Sequence, residues 1–228
     1  MFFHANGDLF KGEFEKDRTN GFGVYSHEKS AVYYGYWIDD IQFGIGYEIW
    51  SDSSKYKGNY ENGQKDGIGT YLWQDKTMYQ GEWKKNNIEG YGIYFFVDKR
   101  IYKGQWKNNQ MHGYGEFTWV EKKKYCGFYK YDKKDGFGIY YWPDEKFGKF
   151  FVGFWKEGKQ NGVGKYIKGA NIKFGVWKDG KKEKTYKSEE ECFNDMDSEV
   201  ERYSFAFHWD IQKLKDFMEI GQPDESYS

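Results

Sequence analysis

The groups that could do chemistry in this chain are few and scattered. Its two thiols, Cys126 and Cys192, sit in unrelated contexts, without metal-ligand spacing and without a His/Asn constellation to make a nucleophile. His4, His27 and His208 have no partners at metal spacing. His112 directly precedes Gly113, where equivalent segments carry Asn20, Asp66, Glu89, Asp135 or Asn161, so it reads as a turn hydrogen-bonder. Asp52, Asp66, Asp75 and Asp98 lie in connections, where turns need carboxylates. Gly-x-Gly pairs abound, yet none extends to Gly-x-Gly-x-x-Gly ahead of a helix and none ends in Gly-Lys-Ser/Thr. The expectation is a protein without catalysis, metal or cofactor.

Lysines recur at Lys57, Lys84, Lys103, Lys107, Lys156 and Lys178, beside aromatic residues. They read either as a solvated polar face that blocks edge association or as a stripe for anionic lipid headgroups or an acidic partner. Residues 1–182 carry a net charge of +7 and residues 183–228 a net charge of −8, for −1 in all. A charge of +7 spread over so long a stretch is weak for nucleic acid, and none is expected. A basic body and an acidic tail could attract each other or recruit different partners.

What positions these groups is a beat of 23 residues. An aromatic-x-Gly-x-aromatic unit places glycines at Gly12, Gly35, Gly58, Gly81, Gly104, Gly127, Gly153 and Gly175. Nine residues after each of the first seven comes a Gly-x-Gly, among them Gly21 with Gly23, Gly67 with Gly69, Gly90 with Gly92 and Gly113 with Gly115. A period of this length marks a repeat architecture, and such chains work as extended contact surfaces.

In residues 79–101 the alternation puts Tyr79, Gly81 and Trp83 on one face of a first strand. Gly90, Gly92, Tyr94 and Phe96 share a face of a second strand beyond a polar connection. Each repeat is therefore a β-hairpin, and successive hairpins pair into one long antiparallel sheet. Rings stack in columns, and the Gly-x-Gly pairs are read as slots where any Cβ would push a ring outward. The composition agrees, being 23% aromatic with 29 glycines and only 2 prolines, which favours pleated structure over helix.

YKGNYENGQKDGIGTYLW at 56–73 and YKGQWKNNQMHGYGEFTW at 102–119 resemble MORN (membrane occupation and recognition nexus) repeats, whose pattern is Tyr-x-Gly-x-Trp, a polar turn and Gly-x-Gly-x-Tyr. The resemblance covers residues 2–182. It implies a rod of hairpins whose aromatic layer partly serves partners. It also implies a place in cytoskeletal scaffolds, ciliary axonemes such as radial spoke heads, or membrane-proximal junctions. Fusions to lipid-kinase or methyltransferase domains are known in the family, and neither domain is visible in this sequence.

The expected organisation is a MORN array of about seven to eight hairpins over 1–182, an acidic linker or short acidic helix over 183–197, an amphipathic helix over 198–221 and a flexible end over 222–228. The helix pattern rests on a Ser198-to-Glu201 capping box and on Val200, Tyr203, Phe207, Ile211, Leu214 and Met218; a short strand around Phe205, Phe207 and Trp209 stays open. It either caps the sheet or docks into a partner. The fold class is mainly β: an elongated single antiparallel sheet of stacked hairpins with a C-terminal amphipathic helix.

The function expected is a scaffold binding the protein subunits of a larger ciliary or cortical assembly, a second copy or another MORN protein included. The residues expected at contacts are Trp37, Tyr60, Trp83, Trp106, Tyr129 and Trp155 in the column, with Tyr203, Phe207, Trp209 and Leu214 in the tail. The alternative is a peripheral adaptor reading anionic phospholipids through the lysines. With its cysteines unpaired and no basic, apolar leader at MFFHANGDLF, the chain is expected to be cytoplasmic and cytoskeleton-associated. Specificity is expected where the beat is broken: at Glu48, at the three-residue insertion near Pro143 and at the last half repeat.

Overall fold

The computed structural model of the protein describes residues 1–144 and 148–194. The chain forms two compact units, Met1–Val120 and Glu121–Ser228. The first holds β1 (Phe2–Phe3), β2 (Leu9–Glu15), β3 (Arg18–Ser26), β4 (Ala31–Ile38), β5 (Ile41–Trp50), β6 (Lys55–Glu61), β7 (Gln64–Leu72), β8 (Met78–Lys84), β9 (Asn87–Phe95), β10 (Ile101–Lys107) and β11 (Gln110–Thr118). The second holds β12 (Lys124–Lys130), β13 (Lys133–Trp142), β14 (Lys149–Lys156), β15 (Lys159–Lys168), β16 (Asn171–Lys178), β17 (Lys181–Tyr186) and a short helix, α1 (Glu189–Asn194). Within each unit every strand pairs antiparallel with the next in the chain, the arrangement that the repeat demands.

Two-residue turns close the hairpins. Lys85 and Asn86 have φ of 47° and 67°, and Asn108 and Asn109 have 48° and 64°. Two successive left-handed residues make a type I′ turn, whose twist matches that of the strands. In five repeats the residue before the Gly-x-Gly then ties the next turn in place, as where Asn20 accepts from Asp39 N–H at 3.2 Å, Asp66 from Lys85 N–H at 3.3 Å and Glu89 from Asn108 N–H at 2.8 Å. This is the role expected of that column.

The second strand of each repeat bulges at its Gly-x-Gly, with two more residues than the strand opposite: Gly58 pairs with Gly69 but Tyr60 with Lys65, and Gly81 with Gly92 but Trp83 with Ile88. Such a bulge takes a carbonyl out of the ladder. On the first strand, opposite the bulge, a tyrosine meets that carbonyl, with Tyr56 Oη donating to Asn59 O at 3.0 Å and Tyr79 Oη to Glu82 O at 3.0 Å. The ring must lie flat over two facing glycines to reach that far. A Cβ on Gly92 would come within 2.3 Å of Tyr79 Oη.

The two glycines of each Gly-x-Gly thus do different jobs, which corrects the expectation that both are slots. The second carries the ring: a Cβ on Gly23 would run into Phe10, one on Gly69 into Tyr56 and one on Gly115 into Tyr102. These second glycines are buried beneath their rings, and they face Gly12, Gly58 and Gly104 across the hairpin. The first glycine is held by its backbone instead. Gly21, Gly67, Gly90 and Gly113 have φ of 86°, 101°, 71° and 71°. Conformation, and not ring packing, demands glycine there.

Tyr33, Tyr56, Tyr79, Tyr102 and Tyr125 are at most 2% exposed and form the core of the aromatic face. On the opposite face of the first unit, Ile45, Ile68 and Tyr91 stay exposed. In the second unit that face is apolar and buried at Ile139, Phe150, Val152 and Ile167. There α1 brings Cys192 against Val163 and Tyr186.

Pleating continues past residue 182, because Tyr186 pairs with Phe174 and Thr185 with Gly175. Within 183–194, the described part of the linker or acidic helix expected over 183–197, a strand end is followed by a short acidic helix, started by Ser188 Oγ accepting from Glu191 N–H at 3.1 Å. The amphipathic helix expected over 198–221 lies outside the described residues.

At the chain start Asp8 is buried and accepts from Tyr25 Oη at 2.8 Å, from Glu28 N–H and from Asn6 Nδ2. Above all the tyrosine bond, helped by those from Glu28 and Asn6 and by His27 at 3.1 Å, holds the carboxyl at about 2, against the pull of its burial. A carboxyl depressed on folding stabilises above its unfolded value near 4 and loses that contribution as pH falls toward 2. Thermal melts from pH 5 to pH 2 should accordingly slope less for Asp8→Asn than for the wild type. Parallel slopes would show that Asp8 is not linked to folding.

Candidate functional site

The residues expected as contacts in the aromatic column are interior ones. Trp37, Tyr60, Trp83, Trp106, Tyr129 and Trp155 are each between 4% and 8% exposed. Their rings are consumed edge-on by tyrosines on both sides: Trp83 packs against Tyr79 at 5.4 Å and Tyr56 at 5.5 Å, and Trp155 against Tyr125 at 5.4 Å. Even their N–H groups turn inward, with Trp83 Nε1 donating to Gly69 O at 3.2 Å and Trp155 Nε1 to Gly138 O at 3.3 Å. Alternation places a ring on a face and leaves undetermined how much of that ring its neighbours hide. The tail contacts expected at Tyr203, Phe207, Trp209 and Leu214 lie outside the described residues.

A different row of rings reaches the surface. In four repeats the second strand runs out into an aromatic pair two residues apart, Tyr71 and Trp73, Tyr94 and Phe96, Phe117 and Trp119, and Tyr140 and Trp142. In the first unit these rings form a continuous ladder: Trp50 to Tyr71 at 5.3 Å, Trp73 to Tyr94 at 5.6 Å and Phe96 to Phe117 at 5.6 Å. All but Phe117 are half-buried. In the second unit Tyr140, Trp142 and Tyr166 continue the pattern. Half-buried rings are better contact candidates than buried ones. Their signal was present in the sequence as aromatics at steps of two, beside the louder glycine motif.

Facing the column across each hairpin is a residue that plugs the space between rings. Thr19 is paired with Phe14, Gln42 with Trp37, Lys65 with Tyr60, Ile88 with Trp83, Met111 with Trp106, Lys134 with Tyr129 and Gln160 with Trp155. Lys134 places its ammonium 5.3 Å from the centre of Tyr125, 4.9 Å from Tyr140 and 5.0 Å from Trp155. Lys65 lies 5.3 Å from Tyr56 and 5.5 Å from Tyr71.

Burial lowers both lysines, that of Lys65 being opposed by Glu48, and brings Lys134 down to about 8. A lysine depressed on folding opposes folding below its folded value, and that penalty fades as pH rises from about 8 to its unfolded value. With lysine side chains labelled at the ε-carbon, one NMR resonance should titrate near pH 8 and vanish in Lys134→Met. Titration of every resonance above pH 10 would contradict this.

The lysines expected to form a stripe follow the other face. Lys57, Lys84 and Lys107 are exposed, and Lys84 is engaged by Asp66 at 2.9 Å. Cys126 is buried within β12, and His112 stands half-buried in β11 at its turn position. Among the described residues no group of three or more His, Cys, Asp or Glu could hold a metal ion, and no helix is long and apolar enough to cross a membrane.

The family model described as MORN repeat matches residues 10–29, 33–55, 56–78, 79–99, 102–122, 125–146 and 151–169. No curated protein matches the chain. The matched segments are the hairpins described above and take up more than half of the sequence, so the chain belongs to the MORN-repeat family.

Proposed function

We propose that this protein is a non-catalytic scaffold that binds protein subunits of a cytoskeletal assembly, in a ciliary axoneme or at the cell cortex. MORN arrays are commonly binding modules for proteins or membranes, which fits a chain built almost wholly of them. The observation that carries the reading is the half-buried ladder from Trp50 to Trp119: a row of ring edges at regular spacing, on a sheet whose backbone groups are already paired. Such a surface takes an extended segment or a helix from a neighbour. The tail, with its acidic charge and amphipathic pattern, would fix orientation.

The test is association with salt-washed axonemes or cortical cytoskeleton from the source cell. Salt-insensitive co-sedimentation, lost in the double variant Trp73→Ala with Trp119→Ala while the fold survives, is the expected result. Absence from that fraction, together with binding to phosphoinositide vesicles at low salt, would replace the scaffold with the lipid adaptor.

A further inference from the structure

The three rings around Lys134 recur with nearly the same geometry elsewhere. Tyr125 and Trp155 are 5.4 Å apart at 83°, and Tyr140 and Trp155 are 6.0 Å apart at 33°. In the first unit Phe10 and Trp37 are 5.5 Å apart at 89°, and Tyr25 and Trp37 are 5.9 Å apart at 43°. The plug between these last rings is Thr19, whose side chain stops three atoms short of a lysine nitrogen. What the shorter plug leaves is a cavity of about 630 Å³, lined by Phe10, Thr19, Tyr25, Trp37, Gln42 and Glu48 among others.

The walls favour a cation. Asp17 and Asp40 also line the cavity, beside His4 and His27, and among the described residues none that lines it is lysine or arginine. Glu48 stands where Tyr71, Tyr94 and Tyr140 stand in other repeats, and its carboxylate accepts from Tyr60 Oη at 2.8 Å. Among the described residues Thr19 Oγ1 is buried with no hydrogen-bond partner. Aromatic faces with a carboxylate nearby attract ammonium groups strongly once water is excluded. The protein itself fills the corresponding cage of the second unit with Lys134, and a related one ringed by Trp50, Tyr56 and Tyr71 with Lys65.

We infer that the Phe10–Tyr25–Trp37 cage is a binding site for a lysine side chain of a partner protein, which completes in trans the contact that Lys65 and Lys134 make in cis. A primary ammonium can use Glu48 as an acceptor. A choline headgroup cannot donate to it, and its phosphate would meet Asp17, Asp40 and Glu48. The site deepens the scaffold reading by stating what the partner presents.

The experiment follows the indole N–H of Trp37 by NMR in the full chain, with the peptide Ac-Gly-Lys-Gly-NH2 as probe. The expected result is a saturable shift that is about tenfold weaker in Glu48→Gln and absent in Thr19→Lys, whose own ammonium should fill the cage without lowering the melting temperature. An equal shift with the norleucine peptide, undiminished binding by a folded Thr19→Lys, or tighter binding of phosphocholine would each overturn the assignment. Cytoskeletal association is read separately, so failure of the cage and failure of the scaffold are distinguishable.

Discussion

Gly92→Val will lower the melting temperature by roughly 10 °C, while Lys84→Ala leaves it near the wild-type value. A Cβ at Gly92 would sit 2.3 Å from Tyr79 Oη and 2.5 Å from Cε2, and those are atoms of a ring, not the far end of a flexible chain. Tyr79 has no direction in which to give. It is fully buried, it packs edge-on against Trp83 and Trp106, and its hydroxyl is bound to Glu82 O. Forcing that ring off its glycines strains the core and strands the Glu82 carbonyl, a cost of about 3 kcal/mol. Spread over a unit of this size, that corresponds to the shift stated. Lys84, by contrast, holds Asp66 from an exposed position, where ion pairs contribute little. Thermal melts of the two variants decide it: comparable melting temperatures would mean that the glycine slot carries no particular stability.

The architecture could be read from residue order because one motif recurs, and each copy votes for the same hairpin. Turn polarity, the glycines facing the rings and the paired strands all follow from YQGEW and GYGIYFF taken with their period. The contact surface was less legible. Exposure depends on which rings cross over the next hairpin, and Trp83 vanishes because Tyr56 of the preceding repeat leans on it. No spacing within a single repeat encodes that. The end of the array was misplaced for a related reason: KKEKTY has no glycine or tryptophan, yet β16 offers it an edge to pair with. Glu48, in contrast, announced itself as a break in the column, and it does line a cavity.

Trp83→Ala and Trp106→Ala will each destabilise the first unit by about 3–5 kcal/mol, the range for truncating a buried ring without collapse of the cavity. Together they should cost less than the sum, because both rings rest on Tyr79, at 5.4 Å and 5.7 Å. Once one indole is gone, Tyr79 is already loosened, and the second loss removes a contact that has partly relaxed. A coupling of about 1 kcal/mol is expected from a double-mutant cycle in urea, and strict additivity would show the two rings to be independent. The sign of this coupling bears directly on function. A column that is core must fail by unfolding, so a binding defect in these variants says nothing about contact. Trp73→Ala and Trp119→Ala, made on half-buried rings of the ladder, should leave urea midpoints closer to the wild type. If they disturb association while Trp83→Ala disturbs stability, the sheet divides its aromatics by depth: one row holds the hairpins together and the other meets the partner.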